Sequence, residues 1–532
     1  MKKRRVADLG KLFQVMVSDL QSFKNGSEPQ NFAAARLLDR MRKRASLGSV
    51  AELKAKALTK FVQINEHVSQ RALNLTAEEI QRASGFIRAQ LERFTRRTFG
   101  DEFAGETFCY QWVWDNWRFG PGASNGTRGT HPAEKIQQKL SSTLACQPFV
   151  TKLRCTHPGW IAIDCESGPE VTLVEGSRIT VVPKNEDAVR TIAIEPSGNM
   201  AIQLALGRYL EGALCLMGLD IQKQQPINKK FAQYGSLTGR IATLDLSSAS
   251  DLIGRDLVRL LFPSEWVLLF ELTRSQKCEI EKQSHALNMI STMGNGYTFP
   301  LMTMIITSLI YATRTNTKNY ISWYETAVFG DDIIVPVEEV EKTISILERA
   351  GFIINHDKSY SFGPFRESCG GDYYEGVDVT PFYVKTVNTQ MEVFVAINQL
   401  LEWWAKTRIP LRKSYDYLVE MLHLNGHKVY FVPEWMNPDQ GILSADCPRS
   451  FKYLSRNVEK RSLPTSSPFA IALASAGYVA SGESPERLYY TTRECKSRVV
   501  VRTGRIPVGF RSGWAAEKRT HEVSQFIALV TQ

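Results

Sequence analysis

Two stretches decide the fold: Ile241-Ala242-Thr243-Leu244-Asp245-Leu246, and Thr326-Ala327-Val328-Phe329-Gly330-Asp331-Asp332-Ile333-Ile334-Val335. The first is a short apolar run that reads as a buried strand carrying an acid, with Ser247-Ser248-Ala249-Ser250-Asp251 as the turn toward a helix. In the second, two β-rich runs flank Gly-Asp-Asp, the signature of a hairpin. Between them, Ser291-Thr292-Met293-Gly294-Asn295-Gly296 is a Gly-rich loop feeding an apolar helix over 299–313. After the hairpin, Val340, Ile344 and Leu347 share one face of a helix stopped by Gly351, and Phe352-Ile353-Ile354 is expected as a further strand. Strand, helix, hairpin, helix, strand is a ferredoxin-like order, an antiparallel sheet backed by two helices. It brings Asp245 and the Asp331-Asp332 turn to one edge of that sheet.

Carboxylates in such a place suit nucleotidyl transfer, which uses two divalent ions about 3.5–4 Å apart, one at the attacking hydroxyl and one at the leaving pyrophosphate. Mg2+ takes hard oxygen ligands and keeps waters, so a few aspartates on rigid strands suffice once substrate phosphates join them. Asp245, Asp331 and Asp332 are the candidate ligands, for two Mg2+ ions or for Mn2+ in their place. Each signal has an ordinary explanation when taken alone. A tight turn selects Gly and Asp anyway, and an Asp at a strand end can cap the next helix. Their order, with the Gly-rich loop and apolar helix between them, points to a polymerase palm.

Outward from this centre, residues up to about Gly100 read as mainly helical, with basic clusters at 40–44 and 93–97 of the kind that usually form solvated faces. Trp112-Val113-Trp114 alternates as a strand, and 119–126 breaks into a Gly-rich loop before Arg128, fitting either a surface turn or an approach to a sugar-phosphate backbone. Beyond about Lys385 the pattern is helical; Thr465-Ser466-Ser467-Pro468 reads as a loop, and the last segment is basic through Arg493, Lys496, Arg498, Arg502, Arg505 and Arg511.

The 532 residues, 43% hydrophobic and 10% aromatic, are enough for two or three interlocked domains. A net charge of +10 attracts a polyanion such as nucleic acid or an acidic membrane surface, its ordinary alternative being a merely soluble basic protein. The nine cysteines form no C-x-x-C pair and no zinc-spaced cluster, which argues against a disulfide framework and favours a reducing cytoplasm. The basic start, Met1 to Arg5, is followed by no sustained apolar region, so no signal peptide is expected. The 299–313 run falls short of the ~18–20 apolar residues of a membrane span.

The segments 235–236, 242–251, 291–299, 329–334, 365–370, 376–379 and 381–383 together resemble the replicase catalytic (beta) subunit of the leviviruses, the single-stranded RNA bacteriophages. The resemblance implies an α+β, right-handed polymerase with a ferredoxin-like antiparallel palm and largely helical fingers and thumb. Its expected division is 1–240 fingers and N-terminal region, 241–385 palm with a fingers insertion near 264–290, and 386–532 thumb and C-terminal region. It implies RNA-dependent RNA synthesis on a single-stranded RNA template from nucleoside triphosphates, without a primer, in the host bacterial cytoplasm. Expected partners are host elongation factors Tu and Ts and a host small-subunit ribosomal protein, with no membrane.

By the same resemblance Asp245 matches the metal aspartate of the first palm motif, and Asp331 with Asp332 matches the paired aspartates. Gly294, Asn295 and Thr298 belong to the turn that holds template and incoming nucleotide. Lys358 stands where a lysine protonates the leaving pyrophosphate; its ordinary alternative is a solvated turn lysine. Lys184 and Arg190 resemble the basic fingers motif that grips triphosphates, diluted here by Glu186 and Asp187. Many RNA polymerases place an Asn near the ribose where Met302 stands, leaving Asp251, Ser250 or Asn295 for that role. A reverse transcriptase shares the palm and the paired acids, and a non-catalytic RNA-binding protein shares the charge; nucleotide incorporation separates all three.

Overall fold

The computed structural model describes residues 7–45, 50–130, 132–136, 138–156, 171–183, 189–314, 325–458, 461–464, 487–490 and 497–506. Helices and antiparallel strands are both present in quantity, an α+β architecture. The chain divides into two compact units that do not follow chain order: 48–369 with 460–495, and 1–47 with 370–459 and 496–532.

The larger unit is organised on a three-stranded sheet in which Asp332–Pro336 lies between Ile241–Leu244 and Ala327–Phe329, antiparallel to both. Apart from Thr243 and Asp332 its strands are apolar, because the sheet is covered on both faces. Ile241, Ala327 and Ile334 pack with Phe231 of the helix Gln224–Thr238 on one face. Their neighbours Ala242, Leu244, Val328, Ile333 and Val335 point the other way, into the main core with the helices Thr298–Ala312 and Val340–Arg349. Alternation of successive side chains sorts one continuous apolar run onto two cores. Around it stand the expected N-terminal helices, here Val50–Gln70 and Ala77–Phe99, the second opened by a Thr76/Glu79 capping box.

Two expected strands are not strands. Trp112-Val113-Trp114 belongs to the helix Gln111–Asn116. Trp112 sets its ring edge-on to Phe94 and Tyr209 and donates its indole N–H to the Ala205 carbonyl at 2.8 Å, so packing on the helix Ser197–Cys215 overrides a three-residue alternation. Phe352-Ile353-Ile354 reaches the sheet only through an isolated bridge from Ile354 to Leu246; a second bridge joins Tyr360 to Thr243. Between the two bridges the chain leaves the sheet in a short 3-10 turn, His356–Lys358, which breaks the pairing and lifts Lys358 out.

In the smaller unit the helix Leu9–Ser22 docks on Arg412–Leu424, where the buried Asp19 carboxylate accepts from the Ser414 backbone N–H at 2.9 Å and hydroxyl at 2.7 Å. The helical pattern expected beyond Lys385 holds for Gln390–Thr407 and Arg412–Leu424. Further on the chain turns to strands, Phe431–Val432, Ile442–Leu443 and Ser450–Val458. Pro433, Pro438 and Pro448 remove the backbone donors a helix needs there.

Candidate nucleotide-binding site

The sheet register alone brings the acids together. Leu244 pairs with Ile333, and Phe329 with Asp332 across a two-residue turn. One step further, Asp245 meets the end of the hairpin that carries Asp331. Gly330, first in the turn, has φ 63°, a conformation glycine adopts freely. It also leaves no room for a side chain: a Cβ there would lie 2.4 Å from the Phe299 ring. Its N–H donates to Thr303 Oγ1 at 3.1 Å, and Phe329 packs edge-on against Phe299, so the apolar helix holds the turn.

Asp245 and Asp331 both line a cavity of about 550 Å3. Asp245 is clamped by the 3-10 segment. Asn355 donates its side-chain amide to Asp245 Oδ2 at 2.6 Å and its backbone N–H to the Asp245 carbonyl at 2.9 Å. The Asp245 N–H donates to Ser359 Oγ, which donates in turn to the Asn355 carbonyl. Burial pushes the Asp245 carboxyl up to about 6; the Asn355 hydrogen bond opposes this, the neighbouring Asp331 and Asp332 charges reinforce it, and Lys358 pulls it down. Asp332 does not line the cavity. Its Oδ1 accepts from the Cys369 backbone N–H at 2.8 Å, and burial raises its proton affinity against that hydrogen bond.

Another wall is the loop 293–298 together with Val189, Arg190 and Thr191 of the strand Val189–Ile194, which pairs antiparallel with Ser177–Pro183. Ala193 N–H donates to the Met293 carbonyl at 2.8 Å. Gly294, at φ 110°, lets the backbones approach so closely that a Cβ would stand 2.3 Å from the Ala193 oxygen. Behind this wall lies a buried polar chain. Gln203 Oε1 accepts from Gly296 N–H at 3.1 Å, and Gln203 Nε2 donates to Glu195 Oε2 at 3.2 Å. Ser275 Oγ donates to the same Glu195 oxygen at 2.7 Å. The Asp251 carboxyl, raised to about 6 by burial, is held down by the Met293 backbone N–H, by Ser250 and by the charge of Lys60.

Of the residues expected from sequence, Asp245, Asp331, Lys358, Arg190, Asp251, Gly294, Asn295 and Thr298 all line this one cavity, as does Met302. Lys184 lies outside the described residues. Lys60 and Asn355 also line it and were not anticipated. Lys60 sits on an exposed helix face far upstream, where nothing local marks it, and Asn355 is a polar residue after an apolar run, which fits any strand end. Among the described residues, no group of three or more His, Cys, Asp or Glu is arranged to hold a metal ion. Asp245 and Asp331 are the two carboxylates that face the cavity near each other, and neither has an ion-pair partner among the described residues. No helix among these residues is long and apolar enough to cross a membrane.

Residues 4–451 match the family model described as RNA replicase, beta-chain. The chain is 37% identical over 290 residues to the RNA-directed RNA polymerase subunit beta of Escherichia virus Qbeta, covering 54% of this chain and 48% of that one. It is also 37% identical over 275 residues to the RNA-directed RNA polymerase beta chain of Escherichia phage MS2, covering 51% and 50%. The chain thus spans about half the length of these relatives. A solved RdRp complex superposes with a TM-score of 0.42 at 10% identity, over 68% of this chain and 34% of that one.

Proposed function

The chain belongs to the RNA replicase beta-chain family, and from that premise we propose that it is an RNA-dependent RNA polymerase. It copies a phage single-stranded RNA from nucleoside triphosphates without a primer, in the host bacterial cytoplasm. In this reading 241–385 is the palm, 1–240 the fingers and 386–532 the thumb. The observation that carries it is one cavity lined together by Asp245, Asp331, Lys60, Arg190, Lys358 and residues of the 293–298 loop.

That donor set fits a hard divalent cation: the charges of Asp331 and Asp332 raise the proton affinity of Asp245 against the pull of Lys358, and oxygens gathered in this way favour a bound positive charge. Asp245 and Asp331 would hold Mg2+, or Mn2+, with Asp332 adding negative field from the same sheet end; phosphate oxygens and water complete the shell. When bound, two such ions supply charge neutralisation at the attacking hydroxyl and at the triphosphate. The remaining work falls to the chain itself. Asn355 fixes the Asp245 carboxylate, leaving its other oxygen for the cavity. Arg190, with Lys184 upstream, grips phosphate oxygens. Lys358 gives its proton to the departing pyrophosphate oxygen, and the 293–298 loop shapes the seat of base and ribose.

The test is extension of defined RNAs with labelled ribonucleotides, without primer, with and without host extract. Metal-dependent incorporation is expected, and stronger with the extract, which supplies elongation factors Tu and Ts and the ribosomal protein. Incorporation of deoxyribonucleotides instead would make it a reverse transcriptase; RNA binding with no incorporation in either metal would make it a binding protein.

A further inference from the structure

Ser450–Val458 and Ser497–Arg505 pair over nine consecutive residues as a two-stranded antiparallel ribbon, about 30 Å long at the usual rise per residue. All but two of these residues lie beyond the stretch matched by the family model. The ribbon carries Lys452, Arg456, Arg498, Arg502 and Arg505 and not one Asp or Glu. All five cations are exposed, and none has a side-chain hydrogen bond or ion pair among the described residues. Directly opposed residues of an antiparallel pair share a face. Lys452, Arg456 and Arg505 therefore fall on one face, and Arg498 and Arg502 on the other. Val499 and Val501, exposed at 55% and 53%, lie between the charges.

Like charges repeated along both faces, with no internal counter-charge, repel one another until a polyanion runs beside them. We propose that this ribbon is an RNA-binding arm that takes the phosphate backbone of single-stranded RNA outside the catalytic cavity. The exposed valines offer apolar contact to sugars and bases. The partner is RNA because regularly spaced phosphates match cations distributed over ~30 Å, whereas a compact acidic group would need them gathered in one patch. The proposal rests on the reading of the chain as an RNA polymerase, and the test separates the two.

Binding of a labelled single-stranded RNA to the full chain, with its co-purifying partners and without nucleotides, is followed against salt. The variant is K452Q/R456Q/R498Q/R502Q/R505Q. Each lost phosphate contact flattens the slope of log affinity against log salt by about 0.7 and costs about fivefold at 0.1 M salt. At least two lost contacts are expected, a slope flatter by about 1.4 or more. Arg-to-Lys replacement at the four arginines keeps the charge and is expected to keep binding. The single reversals Arg498→Glu and Arg502→Glu, at exposed positions that leave the strand pairing intact, are each expected to weaken binding. If the wild-type chain binds RNA and the neutralised and reversed variants bind it equally well with the same slope, the arm does not exist. If the wild-type chain binds no RNA, the polymerase reading falls with it.

Discussion

Glu195→Gln is expected to stabilise the protein at neutral and alkaline pH, by an amount that grows with pH. Glu195 is 3% exposed, accepts from Ser275 and Gln203, and has its carboxyl pushed up to about 7, chiefly by burial. The folded protein thus holds this proton more tightly than the unfolded chain, whose glutamate keeps the ordinary 4.5. Stability from that proton is fully present below pH 4.5 and is lost as pH rises through 7. A rise of this size corresponds to about 3 kcal/mol once both states are ionised. Glutamine keeps an acceptor oxygen for Ser275 and Gln203 and has no proton to lose. The difference in unfolding free energy between variant and wild type should therefore be small near pH 5 and approach about 3 kcal/mol in favour of the variant by about pH 8. Chemical denaturation of both proteins across that range measures it. A difference that stays constant with pH, or a wild type more stable than the variant at pH 8, would refute the reasoning. Because Gln203 still holds Gly296, synthesis by the variant should remain within a few-fold of wild type.

Asp245→Asn and Asp331→Asn should abolish metal-dependent synthesis in a folded protein, whereas Asp332→Asn, whose side chain serves the Cys369 N–H, should keep measurable activity, more of it with Mn2+. Side-by-side elongation in each metal decides, and the assignment fails if Asp331→Asn outperforms Asp332→Asn. Lys358→Leu should slow single-nucleotide addition while the nucleotide KM changes little, since a proton given to the leaving group matters only in the transition state; an unchanged rate sinks that role. Asn355→Ala removes a donor to a charged group worth about 1.5–3 kcal/mol, so kcat should fall about 10- to 100-fold. Weaker Mn2+ binding, read by the magnetic resonance of the free ion, should accompany it; undiminished Mn2+ binding would leave Asn355 without a hold on the site.

What could be read in advance divides by the range of the interactions involved. Asp245 and Asp331 are legible because a buried strand and a two-residue hairpin are local patterns, and strand pairing then forces their ends together: Leu244 opposite Ile333 leaves the next residue no other neighbourhood. The Gly294 and Gly330 positions are legible for the same reason, as backbone turns that only a small residue fits. Trp112 to Trp114 misleads because three residues cannot distinguish a strand from a helix, and the deciding contact, an indole N–H on the Ala205 carbonyl, lies far along the chain. Asn355 escapes notice because its meaning arises only when Ile354 and Tyr360 both bridge back to the sheet and the residues between them are squeezed out over Asp245. Lys60 enters the cavity through the docking of a whole helix, and Glu195 becomes a buried acid only after Ser275 and Gln203 close over it. The acids that would face metal stand at the ends of local structure, whereas the groups that aim and hold them are set by packing between distant segments. Any substitution that loosens that packing, such as one at Gly207, where a Cβ would meet the Gly296 oxygen at 2.6 Å, therefore reaches the site without touching an acid.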